Sequence, residues 1–283
     1  MSSFSIITIV YNDVTHIKET MDSVMNQNYG EIEYILIDGG SIDGTKEAIF
    51  EHITSYATIT QETIKQDSFY LEATAKLSPT FTFKFLSEKD KGIYDAMNKG
   101  IILATKEWIN FMNCGDCFYN LNVLVEVANQ KNEADILYGN TQISYIDQNL
   151  NIIKIAPSPI KESLKKFGVN LIHQSMFFKT QIHKHYLYNT QDYKIASDYD
   201  LIYRLYTQNY SFGVLPLIIS TFHTGGCSDI YGILRTNESF KIARQYNSNV
   251  IQILLYYFFS LGKKIAKTYL PKKLLKRLLM AQK

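Results

Sequence analysis

FSIITIV, residues 4–10, is the stretch whose reading decides the fold. It is short, apolar and rich in β-branched residues, which fits a strand buried on both faces. Working outward, Ile17, Met21, Val24 and Met25 recur at helical spacing, with Thr15 as the expected N-cap. IEYILID (32–38) is a second strand, and the glycine-serine turn after it leads into a helix from about Thr45. FTFKFL (81–86) is a third strand and EWINFM (107–112) a fourth. Between them, Ile93, Met97, Ile101 and Ala104 mark the inward face of a helix over 93–104. Val123, Leu124, Val127 and Ala128 mark another helix, and DILYG (135–139) the strand after it. Repeated strand–helix–strand units of this length imply an α/β fold: a mostly parallel sheet with helices on both faces.

The second half is less regular. NIIKIA (151–156) and HQSMFF (173–178) read as strands, and DYDLIYRLY (198–206) as a helix. FGVLPLIISTFH (212–223) is strand-like, with Pro216 making it an edge or bent strand. No linker separates the halves, so one compact unit is expected over 1–240, with a first part over 1–118 and a second over 119–240. Residues 241–283 form a helical appendage, and residues 52–80 receive no assignment.

The 283 residues suffice for a large core, and 46% hydrophobic with 20% charged residues argues against disorder. Three cysteines are too few for a disulfide framework, so a reducing, cytoplasmic setting is expected. The amino terminus lacks the features of a secretory signal, and no run reaches the ~20 apolar residues that span a bilayer. The net charge of +2 hides an asymmetry: residues 263–283 hold eight Lys or Arg and no acid, leaving 21 basic against 27 acidic residues before them. Nucleic acid is not the expected partner of such a balance.

In an open parallel sheet, ligands bind beyond the carboxyl ends of the strands. Those ends here carry Tyr11 and Asn12; Asp38, Gly39 and Gly40; Glu88, Asp90 and Gly92; and Asn113, Gly115 and Asp116. One Asp-Gly cluster is usually only a turn. Four on the same sheet edge point to a site.

FMNCGDCF (111–118) poses the sharpest question. Cys114 and Cys117 are spaced C-x-x-C, as in a zinc knuckle or a dithiol pair, while Asp116 between them suggests a carboxylate holding a metal beside a phosphate. A structural zinc site needs four ligands, and there is no second C-x-x-C or spaced His pair nearby. A redox dithiol belongs at a helix amino terminus in a thioredoxin-like unit, a topology not evident here. Spectator thiols are the better account.

SIITIVYN, EYILIDGGSIDGT, SEKDKGIYDAMNKGIILAT and WINFMNCGD, in this order and spacing, resemble the amino-terminal half of bacterial family 2 glycosyltransferases, inverting enzymes of the GT-A fold that build surface polysaccharides. The resemblance continues more thinly through HQSMFF, ASDYDLIYRL and FHTGGCS. It implies that 1–118 bind a nucleotide-diphosphate-sugar donor, UDP-linked by expectation, and that 119–240 face the acceptor. Tyr11 and Asn12 would lie near the base or ribose, with Asp38 hydrogen-bonding one of them. The family more often has a second aspartate where this chain has Gly39. Asp90, Asp95 and Asn98 fall in the segment that closes over the donor. Asn113-Cys114-Gly115-Asp116 aligns with the family's DxD motif and keeps its last acid, so Asp116 is the expected ligand of Mg²⁺ or Mn²⁺ and Asn113 and Gly115 line the donor site. One carboxylate is adequate, because Mg²⁺ is commonly held by one or two carboxylates plus phosphates and water. Asp198 matches the catalytic base, with Ser197 where a glutamate usually stands and Asp200 as the rival. Arg204 either binds phosphate or pairs with an acid. His173 and Gln174 resemble an acceptor-side motif, and His223 with Gly225, Gly226 and Ser228 a loop that caps the diphosphate.

In the tail, VIQILLYYFFSL (250–261) is apolar, and Leu274, Leu275, Leu278 and Leu279 oppose Lys272, Lys273, Lys276 and Arg277 on a helix. A basic amphipathic helix reads as an interfacial anchor on an anionic membrane. The alternative is a helix docked on the catalytic unit. The leading expectation is an inverting, metal-dependent glycosyltransferase acting on a glycan or lipid-linked acceptor, peripheral on the cytoplasmic face of a membrane. A catalytically inactive nucleotide-sugar-binding scaffold is the alternative. A sugar-nucleotide nucleotidyltransferase fits less well, because IVYNDVTH is not the glycine-rich, basic loop that holds a triphosphate.

Overall fold

FSIITIV forms β1 (Phe4–Val10), and all seven of its residues are buried. The computed structural model describes residues 2–130, 133–164, 171–226, 230–246 and 250–269. From β1 the chain runs through α1 (Ile17–Met25), β2 (Ile32–Asp38) and α2 (Thr45–Tyr56). Then come β3 (Ala57–Lys65), β4 (Ser68–Ala75), β5 (Ser78–Glu88), α3 (Ile93–Leu103) and β6 (Trp108–Phe111). The short β7 (Cys117–Phe118) precedes α4 (Val123–Ala128), β8 (Ile136–Tyr145), β9 (Leu150–Lys154) and α5 (Ile160–Leu164). A 3-10 turn (His173–Ser175) enters β10 (Met176–Lys179), followed by α6 (Thr180–His185), α7 (Ser197–Thr207) and β11 (Phe212–His223). Two helices close the described chain, α8 (Gly232–Tyr246) and α9 (Val250–Tyr269).

The strands form one mixed sheet in the order β3-β4-β5-β2-β1-β6-β10-β8-β11-β7, with β9 on β8. Its centre is the expected parallel unit: β5, β2, β1 and β6 pair in parallel, with Ile6 opposite Tyr34 and Asn110. Antiparallel ladders flank it on both sides. Side chains alternate along β1, so Ile6 joins one core with α1, α2 and α4, and Ile7 the other with α3, α6, α7 and α8. Each such fully buried aliphatic side chain contributes roughly 1.5–3 kcal/mol.

Two expectations are corrected, and two stretches without a firm sequence reading are now described. Residues 57–75 form an antiparallel hairpin that extends the sheet beyond β5, with Phe69, Leu71, Ala73 and Ala75 buried on one face of β4. Thr15 is not the cap of α1, which starts at Ile17; the turn before it is held by Asp13, whose carboxylate accepts the His16 N–H at 3.3 Å. His173–Ser175 is a 3-10 turn rather than strand, and only Met176 onward pairs with β8. Helix α8 runs through residue 240 without a break and buries Ile242 and Ala243, the former in the same core as Ile7. Strand β11 is bent as anticipated, with register shifts on either side of Ile218.

One buried ion pair lies at the opposite end of the strands from these loops. Glu33, 2% exposed, meets Lys84 at 2.7 Å and accepts from Ser5 and Thr105. Its partners are all protein groups, so it reads as a structural lock rather than a site.

Candidate active site

The loops after β1 and β2 are clamped together. Asn12, at φ 50°, donates its backbone N–H to Ser41 Oγ at 2.7 Å and accepts the Ile42 N–H on Oδ1 at 2.9 Å. Tyr11 beside it is 63% exposed. Asp38 lies beneath this surface, fully buried, accepting from Ser41 Oγ at 2.5 Å and Ser87 Oγ at 2.7 Å. In this arrangement its carboxylate organises the loop and does not face solvent. The carboxylate that does reach the sheet edge is Asp90, half-buried and held by the Gly92 N–H at 2.8 Å; burial raises its pKa.

Gly39 explains why the second aspartate is missing. A Cβ at this position would fall 2.3 Å from Asp90 Oδ2 and 3.3 Å from the Tyr11 ring. Tyr11 and Asp90 therefore converge over a bare backbone, and a carboxylate at 39 would displace Asp90. Asp95 accepts the Lys91 N–H at 3.0 Å and so fixes the first turn of α3. Asn98 is neither a free donor-site group nor an idle surface amide. Its Nδ2 donates to Tyr188 O at 3.0 Å, and its Oδ1 accepts the Tyr188 N–H at 2.9 Å.

Beyond β6 the chain turns through Gly115, whose φ of +92° favours glycine. The turn places Asp116, 5% exposed, against two other segments: Oδ2 accepts from Gln174 Nε2 at 2.5 Å and Oδ1 from the His223 N–H at 3.0 Å. Burial pushes the Asp116 carboxyl up to about 6, against the opposing pull of those hydrogen bonds. The His223 ring sits beside it with Nδ1 2.6 Å from Gly115 O. A carbonyl only accepts, so Nδ1 carries the proton and Nε2 keeps its lone pair. Such a carbonyl-oriented imidazole is the usual form of a metal-ligating histidine. The family resemblance places His223 in a loop that caps the diphosphate; Cys227 and Ser228 of that loop lie outside the described residues.

These groups fit a divalent cation shared with a diphosphate. Asn113 Oδ1 and Gln174 Oε1 are buried oxygens without a hydrogen-bond partner. Among the described residues no cluster of three His, Cys, Asp or Glu can hold a metal alone. Phosphate oxygens and water would have to complete the shell, as is common for Mg²⁺. The thiols face α1 instead. Cys114 Sγ lies 3.6 Å from Asp13 Oδ2 and Cys117 Sγ 3.8 Å from Glu19 O, and burial raises the pKa of both, that of Cys117 to about 11. Neither is an activated thiolate.

Asp198 enters from the other core. The segment before α7 is tied down by Glu238 of α8, whose carboxylate accepts the N–H groups of Lys194, Ile195 and Ala196 at 2.9, 2.9 and 3.0 Å. Asp198 then occupies the first turn of α7, its side chain 29% exposed. The Tyr94 hydroxyl donates to its Oδ1 at 2.9 Å, and His173 Nδ1 lies 3.6 Å from its Oδ2. Burial alone would raise this carboxyl; the interactions with His173 and Tyr94 outweigh it and hold the pKa below the usual range. Asp200, the rival, is 3% exposed and paired with Arg204 Nε at 2.8 Å. That pairing also settles Arg204, whose remaining contact is Leu187 O at 2.7 Å.

The 3-10 turn joins the two halves of the site: His173 contacts Asp198 and Asn113, while the next residue, Gln174, contacts Asp116. Tyr94 and Glu238 escaped the sequence reading. A tyrosine at the start of an amphipathic helix reads as core, and Glu238 acts on a segment more than forty residues earlier.

The profile of glycosyl transferase family 2 matches residues 5–193, two thirds of the chain. This protein belongs to that family. An uncharacterized glycosyltransferase of Mycobacterium tuberculosis is 30% identical over 207 residues, covering 71% of this chain and 67% of that protein. A PGL/p-HBAD biosynthesis glycosyltransferase of Mycobacterium bovis is 25% identical over 209 residues, covering 72% and 70%. Among solved structures, a mannosyltransferase from Pyrobaculum calidifontis in complex with GDP-Man and Mn²⁺ has a TM-score of 0.61 at 14% identity, covering 99% of this chain and 79% of that one. TarS 1–349 of S. aureus in complex with UDP-GlcNAc has a TM-score of 0.57 at 15% identity, covering 93% and 81%. The GT-A architecture of this family 2 glycosyltransferase is thus shared with enzymes of low sequence identity.

Proposed function

We propose that this family 2 glycosyltransferase moves a sugar, with inversion, from a nucleotide-diphosphate donor to a hydroxyl of a glycan or lipid-linked acceptor. The observation that carries the reading is the 3-10 turn that links a partly exposed carboxylate, Asp198, to a buried acid at the DxD position, Asp116. The nucleotide would lie against Tyr11 and over Gly39, with Asp90 in reach of its ribose or base. Asp116 and His223 Nε2 would hold Mg²⁺ or Mn²⁺, which when bound neutralises charge on the departing diphosphate. Asp198, kept ionised by Tyr94 and His173, takes the acceptor hydroxyl's proton. The acceptor oxygen forms the new bond to the anomeric carbon from the face opposite the diphosphate. The old carbon–oxygen bond breaks, and its electron pair leaves with the nucleoside diphosphate.

Screening UDP- and GDP-sugars with and without Mn²⁺ by thermal shift tests the donor class. At least one sugar nucleotide should raise the melting temperature only when Mn²⁺ is present. UDP-linked donors are the first expectation. Silence across the panel, or equal shifts with free nucleoside, would contradict it.

The same reading places the enzyme at the cytoplasmic face of an anionic membrane. No helix among the described residues is long and apolar enough to cross a bilayer. Helix α9 nonetheless turns Ile251, Leu255 and Phe258 outward at helical spacing, 74%, 68% and 64% exposed. Eight Lys or Arg without an acid follow from 263 onward. The leucine and lysine faces of 272–279 lie outside the described residues. Full-length protein should pellet with phosphatidylglycerol vesicles, and a chain ending at Tyr246 should stay in the supernatant. Equal pelleting of the two would refute the anchor.

A further inference from the structure

We propose that His173 is a positioning residue for Asp198, and that Asn113 fixes the ring form in which it can act. The proposal rests on Asp198 being the base and adds how that base is aimed.

A polar group faces each oxygen of Asp198. Tyr94 OH donates to Oδ1 at 2.9 Å, and His173 Nδ1 faces Oδ2 at 3.6 Å. A carboxylate offers only lone pairs, so the His173 nitrogen facing it must carry the proton. In a neutral ring Nε2 is then an acceptor, and it meets a donor: Asn113 Nδ2 lies 2.8 Å away. The ring is also wedged edge-on against Phe111, centroids 6.3 Å apart, and its side chain is only 17% exposed, so it does not reorient freely. The chain Asn113–His173–Asp198–Tyr94 therefore matches donors to acceptors at each step, with Tyr94 and His173 both directed at the Asp198 carboxylate.

This gives Asn113 a reason to be an amide. An aspartate at that position would accept from Nε2 and pull the neutral ring into the other tautomer, turning a lone pair toward Asp198. Asn113 cannot do this with its amide nitrogen facing the ring, and its Oδ1 remains buried beside the metal acid's turn. The residue that thins the DxD motif thus aims the base. The 3.6 Å separation is longer than a hydrogen bond, and apo catalytic contacts often tighten only when substrate binds. No proton leaves the ring: His173 orients Asp198 Oδ2, and the acceptor's proton goes to the carboxylate.

Asparagine places its Nδ2, a donor, near the position of imidazole Nδ1, and glutamine can place its Oε1, an acceptor, near that of imidazole Nε2. His173→Asn keeps the group facing Asp198, whereas His173→Gln keeps only the one facing Asn113. With full-length protein and whichever of UDP-glucose, UDP-GlcNAc or GDP-mannose gives the largest Mn²⁺-dependent melting shift, donor hydrolysis is measured for both variants. His173→Asn should stay within about fivefold of the wild type. His173→Gln should lose on the order of 100-fold in kcat with donor KM unchanged, the usual cost of misplacing a reacting group by about 1 Å. Equal losses in the two variants overturn the proposal. If neither variant folds, ¹⁵N-histidine NMR of the unaltered protein decides: the Nδ1–H tautomer at His173 supports it, and the Nε2–H tautomer overturns it. Asp198→Asn separates the layers. Hydrolysis that survives Asp198→Asn defeats the base reading itself, whereas loss in Asp198→Asn with a fully active His173→Gln defeats only the positioning role.

Discussion

Replacing Asp198 by Asn is expected to lower kcat by ~10³-fold or more, about 4 kcal/mol of transition-state stabilisation, while leaving the donor's affinity within a few-fold. The amide oxygen still accepts from Tyr94, and Glu238 still holds the segment before α7, so the site should keep its shape. What disappears is the group proposed to remove the acceptor's proton. A fall in kcat with unchanged KM is the signature of an interaction used only in the transition state. Asp200→Asn is the matching control. Its carboxylate is committed to Arg204, so its removal should show in thermal stability more than in turnover. Steady-state kinetics and melting curves on the two variants separate these outcomes.

Removing the Asp116 carboxylate should have the second largest effect. Asp116→Ala is expected to weaken Mn²⁺-dependent donor binding on the order of 100-fold, about 3 kcal/mol, because a buried charge contact is lost together with its hydrogen-bonded frame. The pH dependence follows from the carboxyl held near 6 by burial. A folded-state pKa raised above the unfolded value of about 3.8 means that the metal-free protein gains stability from the bound proton below about pH 4. That gain is lost as the pH rises through about 6. Cation binding needs the ionised form, so it should release a proton in this window. The Mn²⁺-induced melting shift should therefore be small at pH 5 and full by pH 7.5, and in Asp116→Ala it should be small at both. A shift that is equal at both pH values would remove Asp116 from the metal site.

Much of this site is written locally, and the rest is not. The strands of the parallel centre are runs buried on both faces, so FSIITIV and IEYILID announce themselves, and with them the loops that carry Tyr11, Asn12 and Asp38. The hairpin over 57–75 also has a signal, the alternation of Phe69, Leu71, Ala73 and Ala75, which a search for strand–helix–strand units passes over. The side-chain partners were beyond reach. Asp38 and Asn98 look like ligand groups in a linear motif, yet Ser41, Ser87 and Tyr188 occupy them once the loops pack. Tyr94 and Glu238 look like core and surface residues until α3 and α8 bring them to Asp198 and its approach segment. Gly39 is legible in both directions: it departs from the family pattern, and the Asp90 carboxylate against its backbone supplies the cause.

FMNCGDCF changes meaning for the same reason. Its cysteines share a spacing but not an environment, since one thiol faces Asp13 and the other the Glu19 carbonyl. The residues between and before them make the contacts that link the candidate site: Asp116 with Gln174 and His223, and Asn113 with His173.

The most direct test of an inverting transfer based on Asp198 is the anomeric form of the sugar released when the enzyme hydrolyses an α-linked sugar nucleotide with Mn²⁺. Proton NMR, recorded before mutarotation, should show the β anomer formed first. Initial release of the α anomer would contradict a direct displacement and with it the role assigned to Asp198.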